Sequence, residues 1–346
     1  MVKRAVIGMS GGVDSSAGAI ILKELGYEVF GLSFTVGVEN SDLKEAVELA
    51  QRLNINHKIV SVENEFKNKV VDYFLDGYRN CITPSPCLIC NREIKFKTLY
   101  DYSEEVGAEI ISTGHYSSFE NINGYRYIKK GKSVKKDQSY MLYRLSDEII
   151  NKLFFPLAEM EKNEVRELLN INGINFFDKS ESQGICFAKD GYEKYLYKYL
   201  GEEIKKGDIV DRKGNVVGEH KGVQLYTLGQ RRGLGLDNGK AHFIVELDKL
   251  KNRVIIGEYN ELLRKQVVIE KTIFHGEYIK KLKNGIDAIV RPRYSSSGLK
   301  ARVYIRDENV IVDYEQENTQ NAPGQHLVVY DGDIVAGGGI IGGIGF

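Results

Sequence analysis

Several things are missing from this chain of 346 residues. It has no run of about 18 uninterrupted apolar residues, the length a helix needs to cross a bilayer. The opening "MVKRAVIGMSGG" meets Gly and Ser too soon for a secretory signal, so a cytoplasmic location is the expectation. Net charge is absent: 48 Lys and Arg stand against 48 Asp and Glu. The balance also holds regionally, with 26 basic and 28 acidic side chains in residues 1–200 and 22 and 20 in residues 201–346. A protein that grips nucleic acid through a broad basic surface is therefore excluded, and any such binding must come from local patches. Cysteine is scarce. Four residues, Cys81, Cys87, Cys90 and Cys186, are too few for a disulfide framework in so long a chain. In a reducing compartment, clustered cysteines are metal-binding or catalytic.

The length suits two or three domains. Residues 4–9 read as a buried strand, followed by the Gly-rich turn "SGGVDSS" and an apolar helical stretch ending near Gly26. Further strands fall in "EVFGLSFTV", "HKIVSV" and "EIISTGHY", with a helix over 42–53 behind an Asp42…Glu45 capping pair. Strands alternating with helices predict an α/β fold, a parallel sheet wrapped by helices, with the first strand–helix turn as the nucleotide position. The texture changes after a last helix near residue 200. Residues 201–266 are Gly-rich with hairpin punctuation, and residues 267–346 alternate as five or six short strands. The expected domains are a catalytic domain over 1–200, a small β-rich adaptor over 201–266 and an antiparallel β-barrel over 267–346.

One charged run stands out: "KKGKSVKK", residues 129–136, with five lysines in eight positions. Taken alone it reads as a solvated loop. Three of the four cysteines fall in "CITPSPCLICNREIKF", residues 81–96, with Cys87 and Cys90 spaced C-x-x-C. The spacing leaves four uses open: zinc, a redox disulfide, a nucleophile, or an iron–sulfur cluster.

The turn "SGGVDSS", Ser10 to Ser16, lacks the lysine of the G-x-x-x-x-G-K-[ST] phosphate loop. Its glycines and the following helix N-terminus suit an anion. It resembles the pyrophosphate loop of the ATP-pyrophosphatase superfamily. Seven further segments, in order along nearly the whole chain, resemble the tRNA-specific 2-thiouridylases: "TPSPCLICNREIKF", "STGHY", "KDQSYMLYRL", "SQGICF", "GEHKGVQLYTLGQRRGLG", "APGQ" and "YDGDIVAGGGII".

The resemblance implies an adenine-nucleotide-hydrolase-like sheet domain and a reaction. ATP with Mg²⁺ activates the C2 oxygen of a uridine, at the wobble position of tRNA, and sulfur then displaces AMP. It places Gly8, Met9, Ser10, Gly11, Gly12, Val13, Asp14 and Ser15 on ATP, with Asp14 holding Mg²⁺, Phe34 at the adenine and Gly114 as a second contact. It assigns tRNA contacts to Ser85, Pro86, Cys87, His115, Lys136, Asp137, Gln138, Arg293, Tyr294 and Gln325, and lifts the lysine run above a solvated loop. His115 read by its residue type alone is a packed core histidine, and Arg231 and Arg232 serve either phosphates or local acids.

The resemblance makes Cys90 and Cys186 the essential cysteines, Cys186 carrying sulfane sulfur and Cys90 helping to release it. The sulfur donor is a persulfide carrier, a cysteine desulfurase or inorganic sulfide. Many relatives have Asp where this chain has Cys87. That departure opens a second scheme, a [4Fe–4S] cluster on Cys87, Cys90 and Cys186, as in related sulfur-inserting enzymes. Zinc lacks an obvious fourth ligand, and Cys81 reads as a bystander. The rivals are an amide-forming synthetase of the same superfamily, which has no use for the cysteines, and an RNA-binding protein with a relict nucleotide site.

Overall fold

The computed structural model describes residues 2–37, 42–174, 184–236 and 241–342. Four strands of the first part are β1 (Arg4–Gly8), β2 (Glu28–Thr35), β3 (Asn56–Ser61) and β4 (Ile110–Ser112). A hairpin, β5 (Ser117–Ile122) and β6 (Tyr125–Lys130), leaves the sheet before β7 (Leu153–Phe154) returns to it. The sheet order is β3-β2-β1-β4-β7, every pairing parallel. Both faces are covered, as a parallel sheet requires. On one face Ala5 and Ile7 pack on Ala17, Ile20, Val165 and Leu169. On the other, Val6, Leu32 and Ile111 pack on Phe96, Leu99 and Leu153. The chain runs outward from β1 to β2 and β3, then recrosses to β4 on the opposite side. That reversal opens a crevice at the carboxyl ends of β1 and β4, where such sheets bind ligands.

The middle part holds β8 (Gly207–Val210), β9 (Val216–His220), β10 (Phe243–Asp248) and β11 (Arg253–Gly257), in the order β10-β11-β8-β9. The expected hairpin in "GDIVDRKGNVVGEH" is the antiparallel pair β8–β9. This sheet shares a core with the first part: Ile209, Val254 and Ile256 cluster with Phe74, Tyr78 and Leu196.

The last part is β12 (Arg264–Phe274), β13 (Ile286–Arg291), β14 (Leu299–Arg306), β15 (Asn309–Asn318), β16 (His326–Asp331) and β17 (Ile334–Ile341). They run β12-β15-β14-β13-β16-β17, and β12 also pairs with β17, closing an antiparallel barrel. Closure removes the exposed edges that an open sheet would present. The glycine run Gly337–Gly339 thus lies in a buried strand. A side chain on Gly338 would meet the Leu327 carbonyl and, at 3.1 Å, the Tyr143 ring. Glycine is there to let Tyr143 in.

The first part and the barrel are joined in two ways. Hairpin β5–β6 extends the barrel sheet, with Lys129 of β6 opposite Ile334 of β17. The segment "SYMLYR" then plugs into it. Tyr140 donates to the His326 carbonyl at 2.6 Å, and the Tyr143 hydroxyl shares a 2.5 Å hydrogen bond with His326 Nδ1. His275 bridges the Tyr143 carbonyl at 2.9 Å and the Asp147 carboxylate at 2.8 Å. Burial, helped by the nearby Arg144 charge, lowers His326 to a pKa of about 3. Folded protein therefore refuses the proton that the unfolded chain accepts near 6.5. Stability should fall as pH drops below 6.5 toward about 3. A series of thermal melts should show this slope. His326→Asn should lower the melting temperature at neutral pH by leaving Tyr143 mispaired, yet flatten the acid slope. An unchanged slope would show that His326 is not the group responsible.

Candidate active site

The β1–helix turn occupies the crevice. Val13–Glu24 forms a 12-residue helix whose N-cap is Gly12. The Ser10 amide donates to Ser15 Oγ at 3.3 Å, and Ser15 Oγ donates to the Gly12 carbonyl at 3.1 Å. The Ser10 and Ser15 hydroxyls lie 3.2 Å apart. Small polar side chains thus fold the turn back on the helix end, leaving first-turn amides toward the opening. The loop after β4 comes very close. A Cβ on Gly114 would sit 2.6 Å from the Asp14 carbonyl carbon and 2.8 Å from the Ser15 nitrogen, so glycine is required. Asp14 itself is held by two donors: Tyr116 gives its hydroxyl to Oδ1 at 2.7 Å, and Lys162 Nζ lies 2.6 Å from the same oxygen.

Two cavities meet at this turn. The inner one, about 540 Å³, runs from Gly8, Met9 and Phe34 past Gly114 and His115 to Cys87, Cys90 and Cys186. The outer one, about 990 Å³, runs from the turn past Ser85 and Pro86 to Lys135, Lys136, Tyr294 and Gln325. Ser10, Asp14, Ser15, Cys87 and Gln138 line both. The segment "SGGVDS" therefore stands between a nucleotide-sized pocket and a larger polar mouth.

Cys87 and Cys90 lie on the short helix Pro86–Cys90, continued by the π-helical turn Asn91–Phe96. Such π turns recur at functional sites because they re-aim side chains. Here the turn brings Lys95 into the inner cavity beside all three cysteines. Burial pushes the Cys90 thiol up to about 11, and Lys95 opposes the shift. Cys87 and Cys186 are raised for the same first reason, with Lys95 again opposing. Cys186 is exposed as a residue, but it faces the cavity wall, which desolvates its thiol. All four cysteines are free thiols. Cys81 lies apart on the far side of the turn preceding this helix, outside both cavities, at a positive φ of 57°.

Among the described residues, no three His, Cys, Asp or Glu side chains stand together as a metal-holding group. The three thiols share one cavity, a placement that either a thiolate-held cluster or thiol–persulfide exchange requires. A Mg²⁺ ion is different. It needs only one or two carboxylates, with phosphate oxygens and water completing its shell, and Asp14 fits that role.

The comparisons with known proteins come down on one side. The family model described as "tRNA methyl transferase HUP domain" matches residues 3–190. Models for the "tRNA methyl transferase PRC-barrel domain" and "Aminomethyltransferase beta-barrel domain" match residues 193–258 and 264–341. A tRNA-specific 2-thiouridylase MnmA 2 of Fusobacterium nucleatum is 45% identical over 98% of this chain and 100% of its own. A tRNA-specific 2-thiouridylase MnmA of Clostridium acetobutylicum is 38% identical over 99% of this chain and 100% of its own.

The chain belongs to the tRNA-specific 2-thiouridylase family. Most of the residues that the resemblance marks out for this family line the two cavities. Some do not. Asp137 is buried, its carboxylate accepting from Ser139 N at 3.1 Å, Ser139 Oγ at 3.0 Å and Arg291 at 3.4 Å. Arg293 is exposed outside both cavities, as are Arg231 and Arg232. The lysine run divides: Lys129, Lys130 and Lys132 pair with Glu120, Asp333 and Glu164, whereas Lys135 and Lys136 line the outer cavity. In "SQGICF" the residues before Gly184 lie outside the described ones. His115 combines both readings. It packs against Phe96 and Phe155, and burial lowers it to a pKa of about 3, so it faces the inner cavity as a neutral ring. Lys95, Tyr116, Lys162 and Arg166 were not marked by sequence. Lys95 lies inside a quoted motif, but nothing in the spacing says that it turns toward the cysteines.

Thiol reactivity checks this electrostatic picture. A rise from 9 to about 11 cuts the Cys90 thiolate at neutral pH by about a hundredfold relative to a free thiol. Alkylation of Cys90 by iodoacetamide, followed by mass spectrometry, should be correspondingly slow at pH 7.5 and climb up to about pH 11. Lys95→Met should slow it further. Alkylation of Cys90 at the free-thiol rate would refute the burial argument.

Proposed function

We propose that this protein is an ATP-dependent tRNA-uridine 2-sulfurtransferase acting in the cytoplasm on the wobble uridine. Residues 1–200 carry the chemistry, 201–266 act as an adaptor and 267–346 help hold tRNA. The observation that carries the reading is the meeting of the two cavities: an anion-binding turn faces one way toward Phe34 and the thiols, the other way toward a wide mouth of lysines and Tyr294.

ATP binds with its phosphates on Ser10, Gly11, Gly12 and Ser15 and its adenine beside Phe34. Mg²⁺, held by Asp14, offsets charge on the phosphates when bound. The tRNA lies across the outer mouth, with Lys136 and Gln325 near its backbone and the target base turned into the crevice past Tyr294 and Gln138. Adenylation is needed because a urea-like carbonyl is a poor electrophile. Attack of the uridine C2 oxygen on the α-phosphate forms the O–P bond and expels pyrophosphate.

Sulfur transfer follows. The terminal sulfur of a Cys186 persulfide bonds to C2 and the C2–OAMP bond breaks, releasing AMP. The Cys90 thiolate then attacks the Cys186 sulfur, breaking the S–S bond to leave 2-thiouridine and a Cys90–Cys186 disulfide. An external dithiol supplies the two electrons that reset it. The cluster alternative is motivated by Cys87 standing where many relatives have Asp, and no step is routed through it. The amide-forming rival leaves three cavity thiols without a use.

In a tRNA-dependent assay, Cys90→Ala and Cys186→Ala should abolish thiolation while pyrophosphate release persists, and Asp14→Ala should abolish both. Gly114→Ala displaces the turn, and misplacement of about 1 Å should cost pyrophosphate release on the order of a hundredfold. Retained thiolation in the cysteine variants would overturn the sulfur scheme. Anaerobic purification with iron and sulfide quantitation separates the two sulfur schemes: full thiolation by iron-free protein given a persulfide donor rejects the cluster.

A further inference from the structure

The pyrophosphate turn carries no cation of its own. Residues 10–16, "SGGVDSS", contain one charged side chain and it is an acid. A turn that receives several phosphate charges on backbone amides and an aspartate needs a positive charge from elsewhere. Lys162 occupies the position where that charge would be useful. It opens the helix Lys162–Ile171, 148 residues beyond Asp14, and its ammonium lies 2.6 Å from Asp14 Oδ1.

The placement is built, not incidental. The helix start is fixed by a reciprocal cap between Glu161 and Glu164. Glu161 also accepts from Ser133 Oγ at 2.6 Å, which ties this corner to the lysine-run loop. The same helix packs Val165 and Leu169 into the core behind the turn. The Lys162 side chain is only 15% exposed and passes 5.8 Å from the Tyr116 ring centroid. A largely buried ammonium is costly to hold away from anions, so phosphate oxygens are a favourable partner for it when Asp14 is claimed by another cation.

We propose that Lys162 is the phosphate-binding cation of this turn. It neutralises Asp14 in the nucleotide-free protein and transfers to the pyrophosphate oxygens when the magnesium accompanying ATP takes the carboxylate. The inference rests on the ATP-pyrophosphatase reading above and adds a residue to it. Lys162 also lines the outer cavity, so the phosphates it meets belong either to the nucleotide or to the RNA backbone. Contact with Asp14 favours the nucleotide.

The test is calorimetric titration of inorganic pyrophosphate into the full-length protein, with tRNA binding followed separately by gel shift. With Mg²⁺, Lys162→Met should weaken pyrophosphate about tenfold to a hundredfold, as expected for loss of a charge-assisted contact, while Lys162→Arg stays close to wild type and tRNA affinity is little changed. In EDTA, Asp14→Asn removes the carboxylate that competes for the lysine and should tighten pyrophosphate binding. That gain should vanish in the Asp14→Asn, Lys162→Met double variant. A gain that survives in the double variant means simple relief of repulsion and overturns the exchange. Normal pyrophosphate binding with lost tRNA affinity in Lys162→Met assigns the lysine to RNA and also overturns it. Wild-type protein that binds no pyrophosphate under either condition instead sinks the ATP-pyrophosphatase reading itself.

Discussion

Cys87 and Cys90 sit at the start of a continuous helical stretch that runs through Pro86–Cys90, Asn91–Phe96 and Lys97–Glu105, and the first turn of a helix frays unless something holds it. Its position depends on what grips its leader. Thr83 takes a backbone hydrogen bond from the barrel, its amide donating to the Pro323 carbonyl at 3.1 Å. Gln325 donates to the Thr83 carbonyl at 3.0 Å, and Thr83 donates its hydroxyl to Thr227 at 3.2 Å. On the other side, buried Asn91 donates to the Met141 carbonyl at 3.0 Å. The cysteine segment is therefore held by the barrel, the middle sheet and the "SYML" turn at once. This explains why segments hundreds of residues apart share one family pattern: they converge on the same few atoms. It also gives "APGQ" a structural duty that is independent of RNA. Gln325 can serve the cavity mouth only because Pro323 and Gln325 first fix residue 83.

Around the turn itself the constraint is closeness. Gly114 presses on Asp14 and Ser15 so tightly that β1 and β4 act as one rigid wall. Tyr116, two residues on, reaches back to Asp14. The carboxylate is thereby aimed by two donors before any ligand arrives. Such preorganisation matters more for stabilising transferred charge than any single bond strength.

Much of this was legible in sequence, and the exceptions have physical reasons. The alternation of apolar strands and helices predicts the parallel sheet, and the sharp turn after the first strand predicts where the crevice opens. The barrel strands announce themselves by period-two patterning. The hairpin β5–β6 does not. Its pairing with β17 crosses some two hundred positions, and nothing in "SSFENINGYRYIKK" says which sheet it will join. The sorting of the lysine run is hidden as well, since its acidic partners Glu120, Asp333 and Glu164 lie in three separate places along the chain. Asp137 misleads for another reason. Sequence shows an acid within a motif but not its direction, and this one points inward to Arg291, which lies over the rings of Tyr140, Tyr294 and Tyr330.

The resting charge state of the thiols bears on the order of events. Three neutral thiols and a neutral His115 line the cavity that would receive ATP. Were the cysteines thiolates at the outset, they would face a polyphosphate across a low-dielectric pocket, where like charges repel strongly. Burial keeps them protonated instead, with Lys95 opposing that shift at all three. Once pyrophosphate departs, the main source of negative potential leaves with it, and the same lysine becomes more effective in stabilising a thiolate. On the proposed reading, the cavity therefore favours adenylation while Cys90 is neutral, and the attack of the Cys90 thiolate on the Cys186 sulfur after the pyrophosphate has gone.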